Sequence, residues 1–231
     1  MPFGTGWNVS IFASGLPGRV AKVSPGSKPP PDAGELRTHA NPNGKGSGKR
    51  PWRLGEEGIL DGATQVPSIN CDERPSGEPV TLAVVHAISL PPGEFGGEAI
   101  EKFFTNALDY DSHPYFEGLR GLRVSAHFLV RRDGTVVQFV PCEKRAWHAG
   151  VSCHAGRTRC NDFSVGIELE GTGEVAYTDF QYEALLALVG VLRRRYPIED
   201  VVGHSDISPG RKTDPGTSFD WMRLRAALQR I

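Results

Sequence analysis

From residue 52 onward, the chain alternates between apolar runs typical of strands and apolar stripes typical of helices. The continuous apolar run over residues 81–86 ends in a histidine and predicts a buried central strand. Residues 124–131 and 135–140 predict a β-hairpin, because both runs are rich in β-forming residues and Asp133-Gly134 joins them.

The strand predicted over residues 164–170 has two different faces. Its three apolar residues, at the odd-numbered positions, point one way, while Glu168 and Glu170 point the other way, since side chains alternate along a strand. Taken alone, this alternation predicts a row of carboxylates that faces solvent.

The clearest helix is predicted over residues 178–195, where Thr178 is an N-cap, an apolar stripe follows and arginines close the last turn. Shorter helical segments are predicted over residues 98–106, 113–119 and 220–228, and a short strand at 201–202. Strands and helices interleave without a strict βαβ period. The predicted fold class is therefore α/β, a single domain with a mixed β-sheet flanked by helices.

Residues 1–50 differ from the rest of the chain. They contain seven prolines and nine glycines, and seven basic residues stand against two acidic ones. Such a segment cannot bury enough apolar surface to offset the entropy lost on ordering. We predict a flexible, disordered extension over residues 1–50 and one folded domain over residues 51–231.

Composition excludes several classes of function. The net charge of −1 gives no electrostatic basis for binding nucleic acid. The apolar runs are too short to span a membrane, and the run over residues 9–13 is too short for the core of a signal peptide. Four cysteines fit no disulfide framework. We therefore expect free thiols and a reducing compartment, the cytoplasm.

The segment over residues 203–216 concentrates groups capable of chemistry. It carries His204, Lys212 and Asp214 in a run interrupted by proline and glycine, which is too irregular to predict a helix. If His204 and Asp214 fold back on each other, they supply two of the three ligands of a catalytic zinc ion. Lys212 lies two positions from Asp214 and would share its face in an extended segment.

A hydrolytic zinc site needs further groups from elsewhere in the chain. Three histidines, His86, His148 and His204, fall at strand ends or loop edges, and His86 gains weight because a Pro/Gly-rich loop follows it. A carboxylate must accept a proton from the attacking water, and Glu168 or Glu170 suits this role. Lys212 suits the stabilisation of an oxyanion. Periodicity does not separate the two glutamates.

Four separated blocks together resemble one known family. They are VHAISLPPGEF at 85–95, RAWHAG at 145–150, GIELEG at 166–171, and GHSDI with KTDPG at 203–207 and 212–216. In this order they look like the zinc-dependent N-acetylmuramoyl-L-alanine amidases of the AmpD type. The likeness runs from about residue 52 to the end of the chain.

The resemblance implies a reaction and a division of roles among residues. The reaction is hydrolysis of the amide between the lactyl group of 1,6-anhydro-N-acetylmuramic acid and L-Ala, in peptidoglycan recycling. The implied fold is the one shared with peptidoglycan recognition proteins. The implied roles are zinc ligands for His86, His204 and Asp214, catalytic carboxylate for Glu168, oxyanion cation for Lys212, and substrate binding for Arg123, Trp147 and Arg211.

The resemblance also sets the expected partners and the alternatives. We expect an anhydro-muropeptide substrate, a Zn²⁺ cofactor, a monomer, and neither nucleic acid nor membrane as a partner. Two alternatives are a non-catalytic peptidoglycan-binding module and a lytic amidase acting on intact cell wall. The chain departs from the family at Ala87, where asparagine is usual, and in the extension over residues 1–50.

Overall fold

A six-stranded mixed sheet forms the centre of the protein. The computed structural model describes residues 52–231, so the predicted extension over residues 1–50 lies outside the described residues. Ten strands occur in the described part: β1 Thr64–Gln65, β2 Cys71–Glu73, β3 Leu82–Ile88, β4 Phe128–Val130, β5 Val136–Gln138, β6 Lys144–Ala146, β7 Cys153–His154, β8 Arg157–Thr158, β9 Ser164–Glu170 and β10 Asp200–Gly203.

The strand order in the main sheet is β1-β5-β4-β9-β3-β10. Strand β9 lies between β4 and β3 and pairs with both in parallel, while β4 and β5 form the antiparallel hairpin predicted around Asp133-Gly134. The register of β9 and β3 places His86 opposite Glu168. The strands β2 with β6, and β7 with β8, form separate two-stranded sheets.

Helices cover both faces of this sheet. The four α-helices are α1 Ala99–Phe104, α2 Asp179–Arg195, α3 His204–Ile207 and α4 Trp221–Leu228, and 3₁₀ turns occur over Pro114–Leu119 and Cys160–Asp162. Helix α2 packs its apolar side onto one face of β3, β4 and β9, whereas α1 packs with β4 and β5 on the other face. The predicted fold class is confirmed. None of the helices in residues 52–231 is long and apolar enough to cross a membrane.

Side-chain alternation assigns the two faces of the central strands. On β3 and β9, the odd-numbered apolar residues join the core cluster beneath α2. The even-numbered side chains, including those of His86 and Glu168, therefore point away from α2. Ala87 lies in the cluster beneath α2, where its side chain is buried, on the face opposite His86.

Three predictions from the pattern are corrected by the structure. Glu168 and Glu170 do not face solvent: they are 9% and 2% exposed, because β9 is a central strand with structure on both faces. The segment after Gly203 does contain a helix, the single turn α3, in which the Asp206 carboxylate accepts the Gly203 N–H at 2.8 Å. The hairpin strands are only three residues each.

Candidate active site

Three side chains from distant parts of the chain converge on the face of the sheet away from α2. The distance from His86 Nδ1 to His204 Nδ1 is 2.9 Å, and Asp214 Oδ2 lies 3.1 Å from each nitrogen. His86 comes from β3, His204 begins α3 and Asp214 follows in the next loop. Within residues 52–231, these three form the group of histidine, cysteine and acidic side chains suited to hold a metal ion.

The donor set fits a catalytic zinc ion. Two imidazole nitrogens and one carboxylate oxygen are a common catalytic set, and ligands at about 2.0–2.2 Å around a tetrahedral ion lie about 3.3 Å apart. The observed separations of 2.9–3.1 Å are close to that value. All three side chains are buried, so this convergence of polar groups is enclosed rather than solvated.

For His86 and Asp214, the electrostatics of the site favour the protonation states that a metal requires. Burial, aided by the neighbouring His204, lowers the pKa of His86 to about 4, so its imidazole is neutral at pH 7. Burial alone would raise the pKa of Asp214, but its close contacts with His204 and His86 hold that pKa below its ordinary value. His86 therefore presents a neutral imidazole and Asp214 an ionised carboxylate.

Glu168 points into the same region with an unengaged carboxylate. Its Oε2 is buried and has no hydrogen-bond partner among the described residues. Burial, followed by repulsion from the Asp214 carboxylate, holds the pKa of Glu168 well above its usual value. A buried oxygen without a partner is costly unless a ligand or water serves it. This feature makes Glu168 a candidate for the catalytic carboxylate.

Glu170, two residues further on, has the opposite surroundings. Its carboxylate accepts hydrogen bonds from the Gly96 N–H at 2.6 Å, from Arg131 Nη1 at 2.8 Å and from the Arg132 N–H at 3.1 Å. These bonds join β9 to the loop after β3 and to the end of β4. Glu170 therefore has a structural role. Of the two glutamates that periodicity does not separate, Glu168 is the better candidate for the catalytic carboxylate.

All eight side chains predicted for the site line one cavity of about 260 Å³: His86, Arg123, Trp147, Glu168, His204, Arg211, Lys212 and Asp214. Lys212 is half-buried there, and burial lowers the pKa of its ammonium group while Asp214 opposes that shift. The cavity therefore combines a metal-competent triad, an unengaged carboxylate and a cation.

The three predicted substrate-binding residues are held in different ways. Trp147 Nε1 donates to Asp72 Oδ1 at 3.2 Å, and Arg145 Nε in turn donates to that oxygen at 2.7 Å. Arg211 Nη2 donates to the carbonyl of Ala149 at 2.8 Å, so part of this guanidinium is used for a hydrogen bond within the protein. Arg123 is exposed at the cavity.

Two residues near the site, His148 and Asn161, are absent from the eight predicted site residues, although the sequence places His148 with His86 and His204 at a strand end or loop edge. His148 lies with Nδ1 2.9 Å from His86 Nε2, and its ring covers Gly166. An isolated glycine inside a strand indicates the close approach of another group. Gly166 is therefore the sequence feature that indicates the contact with the His148 ring. Nothing in the local sequence indicates that Asn161, in a 3₁₀ turn, supports the backbone of His148.

Comparison with known proteins agrees with this geometry. Residues 76–217 match the model of the N-acetylmuramoyl-L-alanine amidase family, which is more than half of the chain. The chain belongs to this family. The 1,6-anhydro-N-acetylmuramyl-L-alanine amidase AmpD of Citrobacter freundii is 59% identical to this amidase over 175 residues, covering 75% of this chain and 94% of the relative.

Two further relatives support the same placement. AmpD of Escherichia coli K12 is 56% identical over 177 residues, covering 76% of this chain and 97% of its own. The crystal structure of a selenomethionine derivative of AmpD matches this amidase with a TM-score of 0.74 at 59% identity, covering 76% of this chain and 99% of that chain. The predicted resemblance to AmpD-type amidases is confirmed, as is the expectation of an enzyme.

Proposed function

We propose that this amidase hydrolyses the amide between the lactyl group of 1,6-anhydro-N-acetylmuramic acid and L-Ala of the stem peptide, with zinc held by His86, His204 and Asp214. The observation that carries the proposal is the convergence of these donors, 2.9–3.1 Å apart, in one cavity with the unengaged Glu168. The names of the relatives support the identity of the substrate.

The proposed metal site, Glu168 and Lys212 divide the chemical roles in this reaction. When bound, zinc supplies a Lewis acid that lowers the pKa of water to about 7 and polarises a carbonyl group. Glu168 accepts the proton of the attacking water and passes it to the amine nitrogen as the carbon–nitrogen bond breaks. Lys212 stabilises the negative charge that develops on the amide oxygen. The products are a free lactyl carboxylate and the free amino group of L-Ala.

Three residues at the cavity are proposed to bind the substrate. Arg123 is exposed at the cavity, where its guanidinium can form paired hydrogen bonds with a stem-peptide carboxylate. Trp147 offers an apolar ring surface for the sugar or the stem, and its indole N–H is already fixed by Asp72. Arg211 binds the carbonyl of Ala149 through Nη2, and the rest of its guanidinium group is proposed to bind the substrate.

We propose that the enzyme acts as a monomer in the cytoplasm, in peptidoglycan recycling. All four cysteines are unpaired, as is typical of proteins in a reducing compartment. An anhydro-sugar substrate is a fragment already released from the wall, so a recycling enzyme acts on a small molecule. The cavity of about 260 Å³ suits part of such a molecule.

The test incubates zinc-loaded protein with purified anhydro-muropeptide and, in parallel, with intact sacculi. We expect release of anhydro-N-acetylmuramic acid from the first substrate and little release of peptide from the second, measured by mass spectrometry. Cleavage of sacculi alone would assign a lytic amidase. Failure to cleave either substrate, with one zinc bound per chain, would assign a binding module without activity. Asp214→Ala serves as the metal-free control.

A further inference from the structure

One short segment touches both imidazoles of the triad on the side away from the ligand atoms. His148 Nδ1 lies 2.9 Å from His86 Nε2, and the carbonyl oxygen of Ala149 lies 3.1 Å from His204 Nε2. The two residues are adjacent in the chain, in the loop between β6 and β7. Neither is a member of the triad or of the group proposed for the chemical step.

The Ala149 contact determines which nitrogen of His204 carries the proton, and the proposed metal site determines it for His86. A carbonyl oxygen only accepts hydrogen bonds, so His204 carries its proton on Nε2 and keeps the Nδ1 lone pair for a metal ion. His86 likewise needs its proton on Nε2, and that proton then points at His148 Nδ1. His148 must therefore accept at Nδ1 and carry its own proton on Nε2.

The far side of His148 provides an acceptor for that proton. His148 Nε2 lies 3.1 Å from Ser164 Oγ, a hydroxyl group that can accept a hydrogen bond and is fully buried. The resulting chain of hydrogen bonds runs from His86 through His148 to Ser164. If His148 instead carried its proton on Nδ1, His86 Nε2 would have to accept a hydrogen bond from it. The proton of His86 would then lie on Nδ1, the nitrogen that faces the metal site.

The position of His148 is built into neighbouring elements. The side-chain oxygen of Asn161 accepts the backbone N–H groups of His148 and Ala149, at 3.2 and 2.8 Å, which fixes both residues at once. The imidazole lies flat on Gly166 of β9, where an added Cβ would come within 2.4 Å of His148 Cγ. Such an approach is possible only to glycine, so the strand is shaped to receive this ring.

We infer that His148 is a positioning residue that fixes the tautomer and orientation of His86, while the adjacent Ala149 carbonyl does the same for His204. The inference rests on the proposed metal site. Partners of this kind behind metal-ligating histidines typically contribute about 10–100-fold to metal affinity. Here one segment serves both imidazole ligands, with Asn161 and Gly166 as its supports.

The test compares His148→Asn with His148→Leu, whose side chains have the same number of heavy atoms and the same branching. The asparagine oxygen can accept the His86 N–H near the place of Nδ1, whereas leucine has no acceptor. Zinc affinity is measured by competition with a chromophoric chelator, and the free energy of unfolding of each metal-free protein is measured in urea. We expect His148→Leu to bind zinc about 10–100-fold more weakly than wild type, and His148→Asn to stay within about threefold.

A second readout follows the proton itself. Nitrogen-15 spectra of histidine-labelled, zinc-loaded wild type are expected to show His86 and His148 protonated on Nε2, and His86 is expected to keep that state in His148→Asn. Equal losses of affinity in both variants, or wild-type affinity in His148→Leu, would overturn the inference. Unchanged zinc binding by Asp214→Ala would place the metal elsewhere, which would overturn the proposed function separately.

Discussion

At the scale of single residues, Glu168 and Glu170 differ in what their carboxylates meet, although they share one face of β9. Glu170 is satisfied by two backbone N–H groups and Arg131, whereas Glu168 Oε2 has no partner in the described part of the chain. Burying a polar group without a partner costs free energy, and in the proposed function a substrate or water supplies the missing partner of Glu168. The same residue type on the same strand therefore has two different uses.

We predict that Glu168→Gln and Glu170→Gln separate catalysis from stability. Glu168→Gln is expected to lower kcat by about 10²–10⁴-fold while keeping one zinc per chain, because a general base is lost. Glu170→Gln is expected to keep its turnover but to lose about 1–3 kcal/mol of unfolding free energy, since charge-assisted hydrogen bonds are lost. Steady-state kinetics, metal analysis and urea unfolding measure these effects. Full activity in Glu168→Gln would refute its role.

His127 gives a prediction about acid stability. It is fully buried, its Nδ1 accepts the Gly166 N–H at 3.0 Å, and burial together with Arg74 lowers its pKa to about 3. The unfolded chain binds a proton at this residue below about pH 6.5 while the folded chain does not, so stability falls as the pH falls. Between pH 7 and pH 5, this residue contributes about 2 kcal/mol to that loss.

The measurement compares wild type with His127→Asn, which keeps an acceptor for Gly166 and cannot titrate. Urea unfolding of both metal-free proteins is followed from pH 7 to pH 5. The stability of wild type should fall more steeply than that of the variant, by about 2 kcal/mol over this range. Parallel profiles would contradict the assignment.

At the scale of elements, the sequence predicts the bounds of the main strand and helix well. It does not predict which remote segments pack around each element. The strand over residues 164–170 and the helix after Thr178 have the predicted bounds, because their local patterns are strong. The burial of Glu168 depends on β3 and β4, which flank β9 from remote parts of the chain, so no local pattern contains it. The contact of His148 with His86 is equally remote in sequence.

Helix α2 provides a prediction at this scale. Thr178 Oγ1 accepts the Gln181 N–H at 3.2 Å, the Gln181 side chain accepts the Thr178 N–H at 3.1 Å, and the Thr178 hydroxyl donates to the Arg132 carbonyl. Thr178→Ala removes the cap and should lower the unfolding free energy by about 1–2 kcal/mol. Thr178→Ser keeps the hydroxyl and is the matched control. Equal losses in both variants would show that the cap contributes little.

At the scale of the whole molecule, the triad joins segments that lie far apart in sequence. His86 and Asp214 are separated by 128 positions, and they meet through β3 and the loop after α3. A metal ion bound there is a crosslink between the early and late parts of the domain. Its binding energy is then part of the stability of the folded state.

We predict that metal removal lowers the melting temperature. With free zinc at about 100 times Kd, binding stabilises the folded state by about 2.7 kcal/mol. For a domain of this size, that corresponds to a shift of about 5–10 °C on chelation. Differential scanning calorimetry with and without chelator measures the shift, and Asp214→Ala should show none. An equal shift in that variant would point to metal bound at another place.

The pairing of β3 with β9 places His86 opposite Glu168, so one strand spacing of about 4.8 Å separates the backbones that carry the proposed first ligand and the proposed base. Arg123, in contrast, lies outside any strand or helix and borders the same cavity. Under the proposed roles, Arg123 is therefore a substrate-binding residue that stands outside the strands carrying His86 and Glu168. We predict that engineering of the segment around Arg123 alters which stem peptides are accepted and leaves the pairing of His86 with Glu168 intact.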